Sequence, residues 1–162
     1  MENTITIREF NIDDLELLLS LRMEVLSNVF SSERKEISDK EWNDIREENE
    51  KYYVEELEKD GHIACGIYVS GEVVGCGGVC LYKEMPSPDN RSGKCAYLMN
   101  IYVRKAYRRQ GFAKKICNYL VNKAKSLGAD KIYLESSDMA VGLYKSLGFA
   151  SMNGYMKLSK VK

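Results

Sequence analysis

Proline and histidine are almost missing from this chain of 162 residues, which has two prolines, Pro86 and Pro88, and one histidine, His62. A single imidazole cannot by itself complete a His/Cys zinc site. The five cysteines (Cys65, Cys76, Cys80, Cys95, Cys117) include no Cys-x-x-Cys pair. Their odd number argues against a disulfide framework, and they read as buried thiols of a reducing cytoplasm. Net charge is also absent, because 24 basic residues cancel 24 acidic ones. That removes any global attraction to nucleic acid or to a membrane surface. The longest uncharged apolar-rich run, Val73 to Tyr82, is far too short to cross a bilayer. Charges begin at Glu2 and no apolar signal core follows, so the expected location is the cytoplasm. Repeats, low-complexity tracts and linkers are lacking as well, which leaves one domain over residues 1–162.

A composition of 44% hydrophobic and 30% charged residues suits a soluble globular protein with a continuous core. Thr4 to Arg8 alternates as a first strand. Asp13 or Asp14 is then expected to cap a helix that carries Leu15, Leu18, Leu19, Met23, Leu26 and Phe30 at helical spacing. Ser38 opens a second, acidic helix that runs to about Lys59 and is ended by Gly61. A hairpin follows, with Ile63–Val69 and Val73–Tyr82 around Ser70-Gly71-Glu72; Cys76 and Cys80, four apart, share one face of its second strand. The proline-containing stretch Lys83 to Lys94 reads as an exposed loop, and Cys95–Val103 as a further strand. A helix is predicted from Gln110 or Gly111 to Leu127, then a strand over Lys131–Glu135. Ser136-Ser137-Asp138 is expected to cap a short helix over Met139–Leu147, and one or two closing strands complete the chain. The result is an α/β (α+β) fold with a mixed sheet flanked by helices.

Charge is unevenly distributed along that order. Residues 33–60 hold 12 acidic and 6 basic side chains, a net of −6, whereas residues 104–131 hold 9 basic and 1 acidic, a net of +8. The basic stretch opens with a strand, Ile101-Tyr102-Val103, then a glycine turn, then a helix. The first N–H groups of a helix lack intrahelical partners and stand at the positive end of its dipole, so they suit phosphate oxygens. Gly111 lets a backbone approach those oxygens, and Arg108, Arg109, Lys114 and Lys115 add charge for a polyanion. Neither the P-loop pattern nor Gly-x-Gly-x-x-Gly occurs.

Arg108-x-x-Gly111-x-Ala113 is similar to the Arg/Gln-x-x-Gly-x-Gly/Ala signature of the GNAT superfamily of N-acetyltransferases. Leu143-Tyr144, with Gly148-Phe149 after it, resembles that family's C-terminal tyrosine helix, and Met99-Asn100-Ile101-Tyr102-Val103 its central strand. The resemblance implies a GNAT-like acyl-CoA N-acyltransferase fold with a mostly antiparallel sheet. It implies that Arg108, Arg109, Gln110, Gly111, Phe112 and Ala113, with Lys114, bind the pyrophosphate of acetyl-CoA. It further implies that Ile101, Tyr102 and Val103 border the pantetheine arm through backbone bonds. A bulge in this strand would splay it from Lys131–Glu135, and backbone N–H groups near Asn100 to Tyr102 would stabilise the oxyanion. Tyr144 matches the family's general acid, which protonates the departing thiolate. Ser137 stands where the family often has an asparagine that contacts the cofactor, seven residues before the tyrosine. The reaction needs no metal.

A protonated amine must lose a proton before it attacks; Glu135 or Asp138 could take it, or each is a solvated strand end or helix cap. The acceptor is expected to be a small-molecule or peptide amine. Acidic residues 33–60 and the loop Pro86 to Gly93, placed beside the cleft, would favour a cationic one. Trp42, Tyr52 and Tyr53 either line that pocket or pack the second helix. The alternative function is a non-catalytic acyl-CoA-binding sensor module; a nucleic-acid binder would need aromatic residues interleaved with the basic ones. Homodimers are common in the resembled family, and nothing in the sequence tests for one.

Overall fold

The computed structural model describes residues 2–160. Its centre is one five-stranded sheet in the order β1 (Ile5–Glu9), β2 (His62–Val69), β3 (Glu72–Lys83), β4 (Lys94–Val103), β5 (Lys131–Leu134). The first four strands are antiparallel neighbours, and β5 joins β4 in parallel. The helices are α1 (Leu15–Val29), α2 (Asp39–Glu58), α3 (Phe112–Ser126) and α4 (Val141–Ser146).

A sheet covered on both faces needs apolar side chains on both, and two clusters supply them. On one face α3 buries Phe112, Ile116, Cys117, Leu120 and Ala124 against Ile67, Val79, Ala96 and Leu98. On the other, α1 and α2 bury Leu18, Leu19, Leu21, Val25 and Tyr53 against Ala64 and Cys76. The approach of α3 depends on Gly77, where an added Cβ would lie 2.5 Å from Ile116 Cγ2. All five cysteines are free thiols, four of them buried.

Several local expectations are corrected. Neither Asp13 nor Asp14 caps α1: Asn11 accepts from the Asp13 N–H and forms a capping box with Asp14 around a 3-10 turn that leads into the helix. Ser38 does cap α2, with Glu41 closing the box, but the left-handed residue that ends it is Asp60 (φ 55) rather than Gly61. Ser137 occupies the start of a 3-10 turn before α4, yet its hydroxyl makes no capping bond, because the Ala140 N–H is met by the Ser137 carbonyl instead. Among the described residues no strand follows β5. Met152, Tyr155, Met156 and Leu158 lie exposed, so the segment has no buried face to hold it as a strand.

Candidate active site

The distinctive feature of β4 is a bulge. Cys76 pairs with Tyr102 and Gly78 with Met99, so Gly77 alone faces both Asn100 and Ile101. Asn100 absorbs the extra residue in the left-handed region (φ 59), which asparagine tolerates better than most side chains. Pairing between β4 and β5 ends just before this point, at Leu98 with Leu134. Beyond it the Arg104 N–H donates to the Val74 carbonyl on the β3 side. Alternation therefore turns the backbone groups of Ile101 and Val103 to the opposite, unpaired edge. The bulge expected from the sequence is present, and β4 runs on past the last residue of β5.

At the end of that edge lies the basic turn. Arg109 (φ 64) and Gly111 (φ 79) both take left-handed conformations, and Gly111 precedes α3 with open space where a Cβ would stand. The first helical bond runs from the Lys115 N–H to the Gly111 carbonyl. The N–H groups of Phe112, Ala113 and Lys114 therefore have no intrahelical acceptor, as a helix start requires. Consecutive free amides at a helix start make an anion-binding nest, which fits a pyrophosphate group.

Two side chains do less here than their charge or position suggests. Arg108 turns its Nε back to the Val103 carbonyl at 2.9 Å, bracing the turn against the strand. Phe112 is buried in the core beneath α3, so it offers the site its backbone N–H alone.

Tyr144 is buried in the same cluster as Val103 and Phe112, with Phe149 edge-on at 6.1 Å. It lines a cavity of about 280 Å³ together with Leu134, Ser136, Phe149 and Met152. Burial, then the neighbouring Cys117, pushes its hydroxyl up to about 12, while burial raises Cys117 to about 11. The phenol is thus protonated at neutral pH. Ser136, not Ser137, lines this cavity, and Glu135 and Asp138 are exposed and outside it. Glu135 stands instead beside Tyr97, whose hydroxyl is raised by burial and then by the Glu135 charge.

The acidic helix does not deliver its carboxylates to the bulge. Asp44 pairs with Lys40, Glu48 with Lys51, Glu50 with Arg46 and Glu55 with Lys59 along the helix surface. The loop over residues 86–93 is tied to the other end of β4, where the Ser92 N–H donates to Asp130 and Asn90 to Glu84. Trp42 stacks under Arg34 at 4.4 Å, whereas Tyr53 is buried in the core and, with Tyr52, also borders a cavity beside Asn100.

Next to Asn100 lies a second cavity, of about 120 Å³, lined by Arg22, Asn49, Tyr52, Tyr53, His62, Met99 and Asn100. The Tyr52 hydroxyl meets His62 Nδ1 at 2.9 Å. Burial, then the Arg22 charge, depresses His62 to about 4. Arg22 and the Asn100 side chain escaped the reading of the sequence. The available signal was an arginine at the middle of the Leu18, Arg22, Leu26 stripe, where the helix period calls for an apolar residue.

A bulged strand running into a row of free amides at a helix start is an arrangement suited to an elongated ligand that ends in phosphate. The model of the acetyltransferase (GNAT) family matches residues 22–149, and the chain belongs to that family. It is 34% identical over 92 residues to an uncharacterised N-acetyltransferase of Escherichia coli, covering 55% of this chain and 52% of that protein. The chain thus spans about half the length of this curated relative. Among solved structures it resembles a predicted acetyltransferase with acetyl-CoA from Clostridium acetobutylicum (TM-score 0.83, 23% identity, 96% of each chain). It also resembles a GCN5-related N-acetyltransferase from Ralstonia eutropha (TM-score 0.80, 18% identity, 96% of this chain and 99% of that one). Among the described residues no helix is long and apolar enough to cross a membrane.

Proposed function

We propose that this chain is an acetyltransferase that moves the acetyl group of acetyl-CoA directly to a primary amine. The observation that carries the reading is the continuity of the free β4 edge, the Ile101 backbone groups and the Val103 N–H, with the amides of residues 112–114. An extended pantetheine arm can add to that edge as a strand would, while its pyrophosphate meets the nest. Tyr102, between Ile101 and Val103, turns its backbone toward β3 and donates its hydroxyl to Glu24 on α1, so it borders the arm without bonding to it. Arg109, Gln110 and Lys114 flank the nest, whereas Ser137 has no evident part in it.

The neutral amine attacks the thioester carbonyl, and the tetrahedral adduct collapses by breaking the C–S bond. Tyr144 is assigned to donate its proton to the departing sulfur. A phenol at about 12 is a weak donor to a thiol of ordinary pKa near ~8.5. Apolar surroundings would also raise the pKa of a departing thiol, which narrows the mismatch. Glu135 and Asp138, both exposed, give no support to a fixed base, and the amine is assigned to lose its proton to solvent.

The test is calorimetry with acetyl-CoA on wild type and a Gly111→Glu variant. Saturable binding that the variant loses by at least about tenfold is expected, because a carboxylate over the nest repels phosphate. Folded wild-type protein that binds no acetyl-CoA at millimolar ligand would overturn the proposal.

A further inference from the structure

Arg22 occupies an unusual position for a charged residue. It interrupts the buried stripe of α1 between Leu18 and Leu26 and is itself half-buried. Its Nε donates to Asn49 Oδ1 at 3.1 Å and its Nη1 to Asn100 Oδ1 at 3.0 Å. Both acceptors are neutral amides. Among the described residues Arg22 forms no salt bridge, while the carboxylates near it are engaged elsewhere. Glu24 holds Arg104 at 3.0 Å, and Arg46 takes both Glu16 at 3.2 Å and Glu50 at 3.7 Å.

A guanidinium carries five N–H donors in one plane. Two are used by the asparagines, which orient the fork without neutralising it, and three remain on a side chain that lines the cavity of about 120 Å³. The uncompensated charge is felt by its neighbours, for it helps to keep His62 neutral and counteracts the rise that burial imposes on Tyr53. A partly desolvated, oriented and unpaired arginine is complementary to a carboxylate or phosphate, which it can bind through two parallel hydrogen bonds. Its position adds the functional link, because one of its two partners is the bulge residue of β4, beside the break between β4 and β5. An acceptor anchored at Arg22 would present its far end toward that break.

Resting on the acetyltransferase reading above, we infer that the acceptor is a primary amine that also carries an anionic group, a carboxylate or a phosphate, held by Arg22. Asn49 and Asn100 fix the plane of the fork. Polycationic amines are disfavoured by the same charge, contrary to what the acidic second helix suggests from the sequence. The atoms balance as in any acetyl transfer: an N–C bond forms, the C–S bond breaks, one ammonium proton passes to solvent before attack, and the amine's second proton replaces the one that Tyr144 gives to the departing sulfur.

The experiment uses the full chain saturated with acetyl-CoA and matched amines. α-Amino acids of each side-chain class are compared with their methyl esters, O-phosphoethanolamine and phosphoserine with ethanolamine and serine methyl ester, and spermidine and neamine serve as cationic comparators. Binding is followed by calorimetry and turnover by thiol release. The expected result is binding and turnover of anionic members, with kcat/KM at least about tenfold above the uncharged counterpart. Whether the carboxylates or the phosphates win identifies the anion. Arg22→Gln should raise KM for the preferred amine at least about tenfold and leave the Kd for acetyl-CoA unchanged. Arg22→Lys, which keeps the charge and loses the fork, should fall between; it and the matched pairs on wild type decide the matter if Arg22→Gln does not fold. The inference is overturned if acetyl-CoA binds but no anionic amine binds or reacts, if esters equal their acids, or if cationic amines are preferred. Failure of wild type to bind acetyl-CoA would instead overturn the acetyltransferase reading itself.

Discussion

Tyr144 sits among apolar neighbours that raise its hydroxyl to about 12, so the acid form persists through neutral and moderately alkaline pH. An aliphatic amine acceptor frees its lone pair near ~10.4, so kcat/KM should climb with pH and show no falling limb from Tyr144 below about 12. A falling limb with an apparent pKa between 8 and 10 that persists in Tyr144→Phe would place that ionisation on another group and remove Tyr144 from the role. Tyr144→Phe should lower kcat about 10²- to 10⁴-fold with acetyl-CoA binding intact. Full activity in that variant would favour a site where the phenol is only packing. His62 gives a stability prediction. Its folded value, about 4, lies below the ordinary 6.5, so between these two values the unfolded chain binds more protons than the folded one. The stability from neutral His62 is complete above pH 6.5 and drains away as pH falls to about 4, by up to about 3 kcal/mol. Urea unfolding of wild type and His62→Gln across that window measures it, and the variant should show a flatter profile.

At the scale of elements, the position of α3 matters because the helix carries the nest at its first turn and the core along its buried face. Its close seat over Gly77 leaves no room for a methyl group, since Ile101 Cδ1 also lies 2.8 Å from the added Cβ. Gly77→Ala should therefore cost about 1–3 kcal/mol and weaken acetyl-CoA binding by shifting the helix start. Thermal unfolding and calorimetry read the two effects, and Ile116→Val, which keeps the Cγ2 that the added methyl group meets, should not relieve them. Removal of the α2 cap by Ser38→Ala should cost about 1 kcal/mol without a change in acetyl-CoA affinity, because that helix end lies outside the nest.

Across the whole molecule, the two apolar clusters share one sheet, with Cys65 facing α3 and its neighbour Ala64 facing α1 and α2. Neither helix layer has a core without the strands, so the faces should unfold together. Leu19→Ala in one cluster and Leu120→Ala in the other, both residues fully buried, should each cost about 2–5 kcal/mol. Each should shift a single transition without splitting it, as coincident circular dichroism and fluorescence curves would show. A biphasic curve in either variant would mean two separately stable layers.

The sequence by itself determined what depends on neighbouring residues. The strand–turn–helix unit around Gly111, the Ser38 cap and the hairpin at Ser70-Gly71 were legible because glycine conformations, caps and helical periodicity act within a few positions. The basic turn announced its anion in the same way, and the spacing to Tyr144 marked the family. Tertiary structure decided the rest. Packing of Tyr144 against α3 sets its protonation, which no local pattern encodes. The closing strands expected after Phe149 did not form among the described residues, because a strand is made by its partner and not by its own alternation. The disposition of the acidic residues of α2 was not legible either, since Asp44, Glu48, Glu50 and Glu55 pair with lysines and arginines along its surface. Arg22 lies 78 positions from Asn100, and only folding brings the two together. Their contact turns an anomalous arginine in an apolar stripe into an oriented, unneutralised charge at the bulge.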